Sequence, residues 1–405
     1  MKNNSNALNL GENKALNSND NLNLNENLNL NSDKILNENS SLNSGENSNN
    51  NTLSNSNLTN SNSALNETPL SKLAHFPIML FASVMGLGGL ALVFKKASAA
   101  FAFSAKDSAN FLDLNAVFAI CSLVFGFLSV AVFLLLLGFY VAKIFTHFNA
   151  FKAEITHQVK INFLSAIPIG ALIITTFLGT FNDNGTMLFL LKIIFYLSSF
   201  LQLILSIFVI NFWFNNAMKK HLLSPAWFIP IVGNLIVPLA GHSAKITPEF
   251  SLFFFSVGCF FWLILTALIT SRLIFEESLE SKFLPTLFIF IAPPSIFVVD
   301  FAALFGGHSA LSLMLYFVAL FFILLMLSLS RVFTRLNFAL SWWAFTFPLC
   351  AFGIASFETF MVFKSPLYMI FGILGLILAL FAVLFVSYKT LLAMSKGKIC
   401  VPEKA

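Results

Sequence analysis

From about residue 75 onward the chain alternates long apolar runs with short polar breaks. Ten runs can be marked, at 75–94, 115–141, 161–180, 188–214, 225–241, 250–274, 284–305, 309–330, 338–357 and 366–388. Most are close to the roughly 20 residues that carry a helix across a ~30 Å hydrocarbon core. The fifth run is short, and the third is interrupted by polar residues. Connections are mostly brief, so successive helices are expected to be antiparallel neighbours. Before the first run the pattern is different. Residues 1–69 repeat Asn, Leu, Ser and Glu, as in NLNLNENLNLN, without a single Phe, Trp, Tyr or Cys. The Leu/Asn alternation has the period of a strand, but a lone strand has nothing to pair with. Such a segment cannot bury enough apolar surface to offset the entropy of ordering it. It also lacks the basic start and apolar core of a secretory signal. The expected organisation is a disordered Asn-rich cytoplasmic tail over 1–72, a ten-helix membrane domain over 73–390 and a short cytoplasmic tail over 391–405. The fold class is an all-α integral membrane protein.

Prolines divide the ten runs into two kinds. Pro77 belongs to the first, Pro168 to the third, Pro230 and Pro238 to the fifth, Pro293 and Pro294 to the seventh, and Pro348 to the ninth. The interiors of the even runs have none, and Pro366 stands at the start of the tenth, where a proline costs little. A proline inside a helix removes a hydrogen bond and kinks it, and the freed carbonyl needs protein or water beside it. The alternation predicts five helical hairpins, each giving a kinked helix to an inner ring around a pore and a straight helix to an outer, lipid-facing ring.

Helical periodicity then proposes which residues line the pore. Ala344, Phe347, Ala351, Ala355 and Glu358 share one face of the ninth run at steps of three and four. That face is thin except for the ring of Phe347, while Trp342, Phe345, Leu349 and Phe352 share a bulky one. Ala82, Gly86 and Gly89 form a thin stripe on the first run. Pro230, Gly233 or Asn234, Val237 and Gly241 do so on the fifth. Small residues also let membrane helices pack closely, so a thin stripe fits a helix contact as well as a lumen. Pro168, Pro293 and Pro348 join the lining set as the kink positions.

Composition agrees with a membrane protein: 57% of residues are hydrophobic and 10% charged, against about 25% charged in ordinary soluble domains. The loops after the second, fourth, sixth and eighth runs, with their margins, hold Lys143, Lys152, Lys160, Lys219, Lys220, Arg272, Lys282, Arg331 and Arg335. The opposite loops hold Lys95, Lys96, Lys106, Lys245 and Lys364. Nine against five places the first set, and with it both termini, in the cytoplasm. The net charge of +5 is thus explained by topology, with no need of a nucleic-acid partner. Cys121, Cys259, Cys350 and Cys400 show no CxxC spacing, so neither a metal nor a disulfide is expected. No nucleophile or acid/base pair emerges, and Gly86–Gly89 has neither the lysine nor the preceding strand of a phosphate loop. The reading is of a non-enzyme without cofactor or metal. Asp300, inside the seventh run, is a functional candidate by its position in the membrane and a natural proton site for a carrier. A lumen with no lining charge can still conduct: backbone and hydroxyl dipoles at proline breaks can solvate an ion that a fixed charge would trap. Ser165, Thr176, Asn234 and Ser295 are the candidate polar groups.

The segment SWWAFTFPLC, Ser341–Cys350, resembles the ninth-helix signature of the tellurite-resistance/dicarboxylate transporter family. That family includes the bacterial tellurite-resistance membrane protein, yeast malate permease and the slow anion channels of plant guard cells. HFPIMLFASVMGLGGLAL in the first run, SPAWFIPIVGN at Ser224–Asn234 and LFIFIAPPSIFV at Leu287–Val298 are similar to its first, fifth and seventh helices. The resemblance covers roughly residues 75–390. It implies ten helices in five hairpins, a homotrimer with one pore per protomer, and transport of inorganic or small organic anions. It also implies that Phe347 plugs the pore midway. Three function classes remain open on the sequence: a gated anion channel or exporter first, a proton-coupled C4-dicarboxylate or malate carrier second, and a membrane enzyme or receptor a distant third, for want of any polar constellation.

Overall fold

The computed structural model describes residues 69–104, 114–181 and 185–401; the expected N-terminal tail lies almost entirely outside them. Ten helices are long and apolar enough to cross a membrane: Ile78–Ser104, Leu114–Thr146, Lys160–Phe181, Gly185–Asn215, Pro225–Ser243, Pro248–Phe275, Leu284–Phe305, Ala310–Ser328, Leu340–Phe363 and Pro366–Ser395. We number them spans one to ten. Among the described residues there is no strand. Span ten runs past the expected boundary at residue 390, and residues 398–401 beyond it help to wall a cavity.

Each odd span packs against the even span that follows it, making five hairpins. The odd spans also contact one another in the cyclic order one, three, five, seven, nine and back to one. They therefore close a ring. Over its most apolar stretch each odd span is 67–89% buried, against 22–39% for each even span. Exposed large apolar side chains crowd the even spans. On the odd spans they occur only at the end away from the chain termini, at Phe103, Phe305, Val362 and Phe363. A surface this apolar is suited to hydrocarbon.

The even spans are unbroken α-helices whose buried residues form one stripe. On span two that stripe includes Ser122, Gly126, Ser129 and Tyr140. Ser122 Oγ donates to the Ala91 carbonyl at 2.8 Å and Ser129 Oγ to that of Val84 at 3.1 Å. Small and hydroxyl side chains are the usual adhesive between helices in lipid, where the hydrophobic effect gives no preference for contact. Spans nine and ten come into backbone contact. A Cβ on Gly375 would stand 3.0 Å from the Gly353 Cα, so the backbones touch.

The odd spans are built differently, and the expected mid-helix kinks take a specific form. Every odd span opens with a 3₁₀ segment and continues as α-helix. Pro168, Pro230, Pro238, Pro294 and Pro348 are each the third residue of an α-segment, those starting at Ala166, Phe228, Ile236, Ala292 and Thr346. The amides that open these segments donate back to the preceding turn, as Ile236 does to Gly233, Ala292 to Ile289 and Thr346 to Trp343, so each proline removes one amide just after the change of helix type. Pro77 instead precedes the 3₁₀ turn Ile78–Leu80 of span one. The bend of the inner helices is thus a change of helix type inside the membrane, with proline starting the new segment. Span five changes type three times, and the carbonyl of Pro230 is met from span four. Pro230 O accepts from Gln202 Nε2 at 2.8 Å and lies 2.7 Å from Ser206 Oγ.

Candidate functional site

The ring of odd spans encloses two cavities on one axis. The first lies toward the end that carries the described chain termini and has about 80 Å³ of open volume. All five odd spans line it, with Ala82 and Met85, Phe163 and Ile169, Phe228 and Gly233, Ala292 and Pro293, and Ala344, Phe347 and Pro348 among its wall. Only Ser341 brings a hydroxyl, and that hydroxyl donates to the Lys282 carbonyl. The Trp343 indole N–H is likewise engaged, by Thr390 Oγ1 at 3.0 Å. This near cavity is apolar in its side chains.

The second cavity lies toward the other end and holds about 330 Å³. The same five spans line it, now with Lys95 and Lys96, Thr176, His242 and Ser243, Val299, and Ile354 and Glu358. Lys96 Nζ pairs with Glu358 Oε2. Lys95 Nζ donates to Thr180 Oγ1 at 3.0 Å. His308, just beyond span seven, is within electrostatic reach of Glu358, but burial holds its pKa below the ordinary imidazole value. Two lysines face one glutamate, so the far cavity has an excess of positive charge.

The two cavities share no lining residue. On span nine the walls change over from Phe347 and Pro348 to Ile354, seven residues or about 10 Å of helix rise. Fully buried Ala351 lies between them. The ring of Phe347 reaches across to span one, where a Cβ on Gly89 would stand 3.0 Å from its Cδ2. Phe347 is 6% exposed. Phe345 points elsewhere. It packs on Phe288, Phe333 and Trp342 at ring-centroid distances of 4.5, 5.6 and 5.4 Å, in a cleft among spans seven to ten.

Of the residues nominated from sequence, the structure brings Ala82, Gly233, Pro293, Ala344, Phe347 and Pro348 to the near cavity. It brings Thr176 and Glu358 to the far one. The remainder wall neither. Gly86 is a packing position: a Cβ there would collide with Thr346 of span nine. Asn234 turns toward span four, donating to Ser206 Oγ at 2.9 Å and to the Ile231 carbonyl at 2.7 Å. Gly241 packs on Ser251. Ser295 Oγ bonds back to the Ile291 carbonyl at 2.8 Å. Ser165, Pro168, Pro230 and Ala351 are buried between helices. Asp300 is fully buried outside both cavities, and neither carboxylate oxygen has a hydrogen-bond partner. Sequence reasoning missed Lys95 and Lys96, which it placed in a loop. The available signal was the renewed small and apolar run ASAAFAF directly after them, which continues the helix to Ser104.

Comparison with known proteins agrees with this architecture. The profile of the family described as voltage-dependent anion channel matches residues 75–391. The S-type anion channel SLAH3 of Arabidopsis thaliana is 28% identical over 297 residues, covering 73% of this chain and 45% of that one. The malic acid transport protein of Schizosaccharomyces pombe is 26% identical over 379 residues, covering 83% and 82%. An uncharacterized transporter of Methanocaldococcus jannaschii is 24% identical over 349 residues, covering 78% and 93%. The chain spans about half the length of the plant anion channels it is similar to.

Proposed function

The chain belongs to the voltage-dependent anion channel family, and we propose that it moves anions through a pore inside each protomer, closed by Phe347. The observation that supports this reading is that Phe347, a large ring in the wall of the near cavity, reaches Gly89 on span one, which lies between that span's near-cavity residue Met85 and its far-cavity residue Leu92. Among the described residues the near cavity is lined by no charged side chain, so an anion crossing it meets no fixed charge that would hold it. The lysines of the far cavity concentrate anions where the opening is wide. A lumen complete within one chain suits a homotrimer in which every protomer conducts separately.

The orientation follows from loop charge. With Lys95 and Lys96 assigned to the lumen, the far loops keep Lys106, Lys245 and Lys364 against nine basic residues on the other side. The near cavity is then cytoplasmic, as are both termini, in the cell membrane.

Similarity to a malic acid transport protein supports a second reading, a proton-coupled dicarboxylate carrier. Asp300 is its obvious proton site, and its place outside both cavities counts against that role. The two readings separate in liposomes, where channel flux is indifferent to a proton gradient and carrier flux follows it. The gate is tested by Phe347→Ala and Phe345→Ala in the same bilayer and melting assays. Removing a Phe from a packed core costs about 3–5 kcal/mol. A ring facing a lumen costs less. Phe347→Ala is expected to conduct many-fold more than wild type with little loss of Tm, and Phe345→Ala to melt earlier without gaining current. A leaky Phe345→Ala beside a quiet Phe347→Ala overturns the assignment.

A further inference from the structure

A further cavity lies outside the ring, in the cleft among spans seven to ten that takes Phe345. It holds about 370 Å³, within the ~300–1,000 Å³ of small-molecule sites. Phe288 of span seven and Trp342, Phe345 and Leu349 of span nine line its inner side, and outer spans eight and ten flank it. Leu327 of span eight is 49% exposed and Phe381 of span ten 67%, so the cleft opens outward, onto the surface suited to hydrocarbon. No charged side chain lines it, and its one hydroxyl, Thr334 Oγ1, donates to the Arg331 carbonyl at 3.1 Å. Cations gather at its near end. Lys389 Nζ stands 5.5 Å from the centroid of the Phe385 ring, which is part of the lining. Arg331 and Arg335, on either side of Thr334 in the chain, are exposed. Among the described residues none of the three forms a salt bridge.

We propose that the cleft seats one anionic phospholipid of the leaflet at the near end, with an acyl chain between spans eight and ten and its phosphate among Lys389, Arg331 and Arg335. Depth supports a lipid. From Lys389 to Leu378, the lining residue of span ten farthest from it, is about 16 Å of helix rise. Half of a ~30 Å hydrocarbon core is about 15 Å, so the cleft runs the depth of one leaflet. Charge supports an anionic headgroup. The three cations stand at the end of the cleft that reaches the membrane–water interface, and no carboxylate lines it. Arginine offers a phosphate two parallel hydrogen bonds and lysine a point charge, whereas a zwitterionic headgroup brings its own cation against them. Binding of this kind combines buried apolar area with electrostatic attraction. The site is off the conduction path but against a helix that borders it. Phe345 and Leu349 line the cleft, and Phe347 between them lines the near cavity, so the lipid packs on the back of the turn that carries Phe347.

Native mass spectrometry of the full chain in detergent counts the lipid. Dioleoyl-phosphatidylglycerol and dioleoyl-phosphatidylcholine are titrated in parallel, and the apparent Kd of the first bound lipid is compared. Lys389→Gln and Arg335→Gln remove headgroup cations, and Ala382→Phe fills the cleft. Lys219→Gln, at an exposed lysine in the loop after span four, controls for general charge at the same end. All variants are first checked for wild-type melting, and the cation variants carry the test should Ala382→Phe melt early. Wild type is expected to hold phosphatidylglycerol roughly tenfold more tightly than phosphatidylcholine, and each cation variant to weaken it by roughly threefold to tenfold, the loss of one charge-assisted hydrogen bond. Ala382→Phe should lose the bound lipid, and Lys219→Gln should leave it unchanged. Equal affinity for the two lipids, or cation variants that bind like wild type, overturns the proposal. So does a second copy of the chain covering the cleft: Phe381→Cys, in a background without the native cysteines, would then cross-link chain to chain in bilayers, whereas a lipid-filled cleft leaves it uncross-linked on a denaturing gel.

Discussion

The two cavities of the ring are made by the same five helices and differ in almost everything else. The near one is small, and its side chains are apolar. The far one is about four times larger and lined by two lysines, a histidine, a glutamate and hydroxyl groups. Ring geometry supplies a lumen at both ends, and the residues that happen to meet it decide what each end does. A charge in the wide mouth stays hydrated and attracts anions at modest cost. The same charge in the narrow chamber would be desolvated, at several kcal/mol, and would hold its ion. Under the proposed function, the division would put attraction where ions exchange with water and selectivity where they must shed it.

The sharpest way to break this contrast is Phe347→Ala, expected to raise anion current many-fold by joining the cavities. Next in size is the double variant Lys95→Gln/Lys96→Gln. It is expected to lower conductance several-fold at about 0.1 M salt and by little at about 1 M, where the screening length shrinks from ~10 Å to ~3 Å. Glu358→Gln should move the current the other way, and less, because it removes the partner of a lysine that is already 31% exposed. The smallest effect belongs to an ion pair outside both cavities, Lys220 Nζ to Glu276 Oε1 at 2.8 Å. The Lys220 hydrogen bond and charge hold the Glu276 carboxyl below the usual carboxylate range. A depressed carboxylate pKa contributes stability above its unfolded pKa and loses it as pH falls through its folded value. Glu276→Gln should therefore lower Tm slightly at pH 7, by progressively less as pH falls through the folded-state value of Glu276, and leave conductance alone. A conductance change from this variant equal to that of Glu358→Gln would mean that position in the lumen does not matter.

Much of this was legible in the sequence, and what was not has physical reasons. All ten spans were visible because each apolar run is nearly a bilayer long. The inner and outer rings were visible because prolines keep to the odd runs. The 3₁₀ openings were not, since a proline beginning an α-segment inside a span reads like one interrupting it until hydrogen bonds are known. That ambiguity propagated. Gly233–Leu235 is a 3₁₀ turn with about three residues per turn in place of 3.6, so an α-helical stripe drawn through span five lost register and put Asn234 on the pore side. Span one was cut short at residue 94 because Lys95 and Lys96 looked like its end. Charges facing a wet lumen lower hydropathy without stopping a helix. Gly86 was ambiguous for another reason, because a thin face serves helix contact and pore lining equally well.

The central claim is that the two cavities are ends of one path and that the Phe347 ring separates them. Single cysteines at Ala344 and Ile354, in a background without the four native cysteines, probe the two sides directly with a membrane-impermeant thiol reagent. With Phe347 in place, the Ala344→Cys protein should label from one side of the membrane only and the Ile354→Cys protein only from the other. Combined with Phe347→Ala, each should label from both sides. One-sided labelling that survives Phe347→Ala, or two-sided labelling with the ring present, would contradict the account.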